Sequence, residues 1–84
     1  MNKLAWEAHA LQVTESAARE PVAIVYAGSE RKVEGILCRW RMCQEWWKRP
    51  SERDYFRVRL DSGLICEVFR DIQSGCWQLQ RVYD

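Results

Sequence analysis

The sequence predicts a mainly β fold with an N-terminal helix, its five strands forming an antiparallel meander that is a strongly twisted sheet or a small half-open barrel. Three observations predict it. Before Pro21 the apolar residues recur at helical spacing with no Gly or Pro among them. After Pro21 the apolar period switches to two. The alternating runs are mostly joined by short Gly- and Ser-containing turns, whereas parallel neighbours would need crossovers of a dozen or more residues. With 84 residues the chain holds one core, read as a helical segment over 1–20 and an antiparallel β domain over 21–84.

Each element has its own reason. In "NKLAWEAHALQV" Leu4, Ala8 and Leu11 fall on one side of a helical wheel, predicting a helix over 2–13 that extends toward Arg19. Pro21 cannot continue it and starts an extended segment. "VAIVYAG" is the first strand, closed by Gly28 and Ser29. "VEGILCRWRM" is the second, with Ile36, Cys38, Trp40 and Met42 on one face, Glu34, Arg39 and Arg41 on the other, and Leu37 as the exception. Cys38 and Trp40 are therefore expected in the core. A long loop, "CQEWWKRPSER", follows. "YFRVRLD" alternates with Phe56, Val58 and Leu60 inward, and Ser62 and Gly63 turn the chain into "LICEVFRD". "IQSG" turns it again, with Asp71 accepting from backbone N–H groups, into "CWQLQRVYD".

Composition limits the function. Thirteen basic and twelve acidic residues give a net charge of +1, so no sequence-wide case for an anionic partner exists. The segment from Arg39 to Leu60 differs, with seven basic against three acidic residues and five aromatics. The four cysteines, Cys38, Cys43, Cys66 and Cys76, have neither zinc-ribbon nor secreted-disulfide spacing. No metal and no cofactor is expected. Neither a signal peptide nor a membrane-length apolar run is present, which places the chain in the cytoplasm. His9 stands apart from every cysteine, no carboxylate pair or Gly-rich phosphate loop occurs, and the chain is expected not to be an enzyme.

The binding surface expected from the sequence follows from alternation. Arg39, Arg41, Arg57 and Arg59 project from the outward faces of two adjacent strands as one basic patch, and Tyr55 shares that face. The loop adds Trp46, Trp47 and Arg49, and Arg53 leads into the third strand. Neighbouring tryptophans point to opposite sides, so one plugs the sheet and the other is a platform for a base or a partner's apolar side chain. Two readings stay open. The arginines track phosphates beside a stacking aromatic, or they pair with Glu45, Glu52 and Asp54 while both tryptophans cover the core edge.

The stretches "EPVAIVYAG", "VEGILCRW", "EWW", "RDYFRVRLDSG", "EVFRD" and "GCWQLQRVYD" resemble a small uncharacterised bacterial domain family whose members recur beside translesion-polymerase genes. The second half also resembles the C-terminal tail of the polymerase-like ImuB protein of the bacterial mutagenesis cassette. The likeness rests on Trp46 and Trp47, then Arg53, Asp54, Tyr55 and Phe56, then Gly63, Phe69, Arg70, Trp77 and Leu79. The resemblance implies DNA damage tolerance as context and no catalytic role. The expected function is a non-enzymatic docking module for a protein of the DNA repair or replication machinery, with single-stranded or junction nucleic-acid binding as the alternative. Monomer and homodimer are both compatible with the sequence.

Overall fold

The structure is a computed structural model that describes residues 9–46 and 49–83, with side chains for 10–43 and 52–83. The chain runs β1 (His9–Leu11), β2 (Val13–Glu15), β3 (Pro21–Tyr26), β4 (Ser29–Trp46), β5 (Arg49–Leu60), β6 (Ile65–Asp71) and β7 (Trp77–Tyr83). All neighbours are antiparallel, in the order β1-β7-β6-β5-β4-β3-β2. β1 and β2 stand at opposite ends of that order yet are separated in sequence by Gln12 alone, whose carbonyl accepts from Val25 N at 3.0 Å. One short segment thus pairs with β7 on one side and β3 on the other. The sheet is nearly closed into a barrel.

The expected helix followed by five strands is overturned. Among the described residues there is no helix, and residues 9–11 and 13–15 are strands; the expected helix over 2–8 lies outside the described residues. "LQVTE" supports both periods, since Leu11, Val13 and Glu15 are half-buried while Gln12 and Thr14 are exposed. Long-range pairing of Leu11 with Trp77 and Val13 with Ile24 decides for strand. Local helix propensity is a fraction of a kcal/mol per residue and yields to closing two open sheet edges.

The expected long loop is also corrected. Cys43 to Trp46 and Arg49 to Glu52 continue β4 and β5 as a two-stranded ribbon, with Trp46 opposite Arg49. Pro50 fits because β6 ends opposite Arg53, leaving that part of β5 a sheet edge where a missing N–H is tolerated. At the other end of β4, Ala27 (φ 53°) and Gly28 (φ 80°) make a two-residue hairpin turn of the primed type, whose left-handed residues match the strand twist. Asp71 Oδ1 accepts from Gln73 N at 2.9 Å and Ser74 N at 3.1 Å, shaping the β6–β7 turn.

The core lies inside the barrel: Ile24, Phe56, Val58, Leu60, Cys66, Val68, Trp77 and Leu79, with Leu11, Val13, Tyr26, Val33, Leu64 and Val82 packed around them. β5 is central and is covered on both sides, since Asp54, Tyr55 and Phe56 are buried in succession. β4 differs. It pairs with β3 over Ser29–Lys32 and with β5 from Val33 onward, and its register slips twice, leaving Glu34 and Leu37 with no opposite residue. Each extra residue is a bulge, and a bulge reverses which side chains face inward beyond it.

Candidate functional site

That reversal rearranges the predicted surface. Beyond Leu37 the pairs are Cys38 with Arg57, Arg39 with Phe56, Trp40 with Tyr55 and Arg41 with Asp54. Arg39 and Arg41 therefore share the inner face with Phe56, while Cys38 and Trp40 share the outer face with Arg57 and Tyr55. The expected single patch of Arg39, Arg41, Arg57 and Arg59 is not formed, because one inserted residue sends the β4 pair and the β5 pair to opposite faces. The core assignments of Cys38 and Trp40 fail for the same reason: Cys38 is exposed and Trp40 stacks outside on Tyr55.

The outer face carries a cross-strand aromatic ladder. Trp40 lies over Tyr55 at 5.3 Å between centroids and 7° between planes, and Tyr55 meets Phe69 at 5.0 Å. Tyr55, expected to be free for a ligand, is buried. Arg53 sits 4.6 Å from the Phe69 centroid and donates from Nη1 to Tyr55 Oη at 3.4 Å. Arg57 lies between the Trp40 and Tyr83 rings, at 5.9 and 5.3 Å. Such contacts are worth about 0.5–2 kcal/mol each and fix these side chains as structure.

Carboxylates hold most of the remaining guanidiniums. Glu67 Oε2 accepts from Arg57 Nη2 at 2.9 Å, Arg57 Nε at 3.2 Å and Tyr83 Oη at 2.6 Å. Burial alone would push the Glu67 carboxyl up, but the hydrogen bonds from Tyr83 and Arg57, with the charges of Arg57 and Arg81, outweigh it and hold it below its usual value. Bonding to that carboxylate in turn raises Arg57 above its ordinary value. On the inner face Asp54 accepts from Arg41 Nε at 2.8 Å and Arg70 Nη2 at 3.2 Å, and its hydrogen bond and charge raise Arg41. Arg39 donates from Nη1 to Glu20 at 2.9 Å, while Arg59 lies 3.9 Å from Glu34.

Glu67 yields a pH prediction. Its folded value lies below that of an unfolded glutamate, so its contribution is fully present above the ordinary value of 4.5 and is lost as pH falls through the folded value. Glu67→Gln is expected to lower stability at neutral pH by about 1.5–3 kcal/mol, the worth of hydrogen bonds to a charged group. It should also flatten the acid limb. Urea midpoints of both proteins across about pH 3 to 7 check this; parallel curves would refute it.

What remains open is an edge. Among the described residues no strand pairs with β4 beyond Lys32 on the side away from β5, so Glu34 to Met42 offer on that side a run of backbone with no strand beside it. Exposed apolar side chains lie along it: Ile36, Leu37 and Met42 are 36%, 45% and 42% exposed, beside half-buried Trp40. Alternation does not reveal this edge, because it carries no measure of how far β4 outruns β3 and no sign of the inserted residues. The signals present were Gly35, an isolated glycine within a strand, and the unbroken run Ile36-Leu37-Cys38. Of the other predicted site residues, Trp47 and the side chains of Trp46 and Arg49 lie outside the described residues.

Other sites offer less. A cleft of about 590 Å³ at the barrel seam is lined by Leu11, Glu15, Ile24 and Trp77 among others. One of its two carboxylates is engaged, since Trp77 Nε1 donates to Glu15 Oε2 at 2.7 Å, and the other is that of exposed Glu30. Burial pushes the Cys66 thiol up to about 11, which keeps it protonated and inert. Among the described residues no cluster of three or more His, Cys, Asp or Glu could hold a metal, and no helix is long and apolar enough to cross a membrane. Compared with protein-family models, characterised proteins and solved structures, the chain matches none.

Proposed function

We propose that the chain is a non-enzymatic docking module that receives an extended segment of a protein partner along the open edge of β4. The observation that carries this reading is that, among the described residues, no strand lies beside Glu34 to Met42 on the side away from β5, with Ile36, Leu37 and Met42 exposed there. A row of free N–H and C=O groups is a template for one more strand; main-chain hydrogen bonds supply affinity and alternate side chains supply specificity. The resemblance of residues 21–84 to domains found beside translesion-polymerase genes supplies the context, a partner among proteins of DNA damage tolerance. The nucleic-acid reading has less support. It needs a continuous arginine strip, whereas these arginines are divided between two faces and paired with Glu20, Asp54 and Glu67.

The test is a display selection of random peptides on the whole chain, followed by hydrogen exchange with and without a selected peptide. Protection is expected to rise between Arg39 and Trp46. Met42→Lys, which places a charge on an exposed edge position, should weaken binding about tenfold without altering stability. Protection confined to other strands, or no peptide selected while an oligonucleotide binds with steep salt dependence, would overturn the reading.

A further inference from the structure

We infer that the strand added to β4 is acidic on alternate positions and apolar on the others, and that it belongs to a different protein rather than to a second copy of this chain. The inference rests on the strand-addition reading and specifies its occupant.

Beyond the Leu37 bulge the edge has two chemically distinct faces. On the outer side Cys38, Trp40 and Met42 follow one another at alternate positions, and Trp40 is backed by the Tyr55 ring. On the inner side the alternate positions are Arg39 and Arg41, 47% and 54% exposed in their side chains. Their carboxylate partners do not lie on β4. Asp54 is on β5, behind β4 as seen from the edge, and Glu20 precedes β3. Glu52, whose charge also acts on Arg41, is likewise on β5. Each guanidinium has five donors, and part of them is already committed: Nη1 of Arg39 to Glu20, Nε and Nη2 of Arg41 to Asp54.

An added strand places its side chains beside those of β4 on the same face, about 5 Å away for directly opposite positions. Residues two apart on the partner have the same spacing as Arg39 and Arg41, because both follow strand geometry. Two acidic residues at alternate positions can therefore meet both guanidiniums at once, while the residues between and beside them lie against Cys38, Trp40 and Met42. A second copy fits worse. Antiparallel pairing of two β4 edges about a twofold axis continues each face into its own kind and sets the Arg39–Arg41 row against itself. Like charges across a strand pair are destabilising, so the arginines let the edge accept an acidic strand and discourage self-pairing.

The probes are three synthetic peptides of about eight residues, a common strand length, alternating apolar residues with Glu, with Thr or with Lys. Affinity is read by fluorescence anisotropy at physiological salt on the whole chain, with hydrogen exchange of β4 as the second readout. The Glu peptide is expected to bind about tenfold more tightly than the Thr peptide, with the Lys peptide weakest. Arg39→Gln and Arg41→Gln should each reduce the Glu preference about threefold and leave Thr-peptide affinity unchanged. Arg39→Gln removes an exposed ion pair with Glu20 and a contact over the Phe56 ring but leaves no buried charge unpaired, so it remains readable if Arg41→Gln, which borders buried Asp54, loses stability. Equal binding of all three peptides with β4 protected would overturn the acidic occupant and leave strand addition standing. No binding and no protection with any peptide would overturn both. A concentration-dependent dimer that Met42→Lys dissolves would assign the edge to a second copy and overturn the inference.

Discussion

Replacing Asp54 with Ala is expected to destabilise the fold by about 3–5 kcal/mol, the usual consequence of removing one partner from a buried ion pair. The Asp54 side chain is 6% exposed and Arg70, opposite it on β6, is 11% exposed. Arg70 Nε is already enclosed without a partner, so Nη2 on Asp54 is the bond that compensates this guanidinium for its lost water. Without the carboxylate a cation stays buried and unpaired, while exposed Arg41 regains solvent. A chain of this length holds roughly 4–13 kcal/mol of stability in all, so the loss would leave a large unfolded fraction or shift the urea midpoint far down. The paired substitution Asp54→Leu with Arg70→Met should recover most of the loss, because replacing both members with apolar groups of similar size is often neutral. Equal destabilisation in the single and double variants would show that shape rather than charge governs this position.

How much of this was legible in the sequence depends on what alternation can express. The strands over 21–26, 65–71 and 77–83 were visible because they are apolar-rich runs that Pro21, Gly63 and Gly75 punctuate; Gly63 and Gly75 adopt φ of 91° and 75°, and even there an unmatched Gln80 breaks the period of β7. The inward placement of Phe56, Val58 and Leu60 was visible because β5 carries no inserted residue along its pairing with β6. The candidate site was mostly not. Alternation counts positions and has no way to register an extra residue, so the bulge at Leu37 moved Trp40 outward and Arg39 inward without changing one letter of the pattern. The burial of Tyr55 was hidden because a strand covered on both faces does not alternate between apolar and polar, and here the outward cover is aromatic stacking and guanidinium groups. The strands at 9–15 were hidden by distance, since their partners are Trp77 and Ile24 and no local pattern announces them.

The second large effect is expected at Phe56, where substitution by Ala should cost about 3–5 kcal/mol. The side chain is fully buried on the central strand, opposite Arg39 on one side and Val68 on the other, with its ring 5.5 Å from that of Trp77. A barrel this small has few large groups inside, so the cavity left by a ring borders β5, β6 and β7 together and cannot collapse by moving one strand. Phe56→Leu, which keeps most of the volume, should cost less than about 1.5 kcal/mol. The ring also underlies the edge: the Arg39 guanidinium rests 5.2 Å from its centroid. Loss of the ring removes the surface that holds Arg39 beside Glu20, so the milder Phe56→Leu variant should stay folded and still show a weaker preference for acidic over neutral peptides. Denaturant unfolding measures the first effect and the peptide comparison the second. An unchanged preference in a folded Phe56→Leu protein would mean that Glu20 alone positions Arg39 and that the core does not reach the edge.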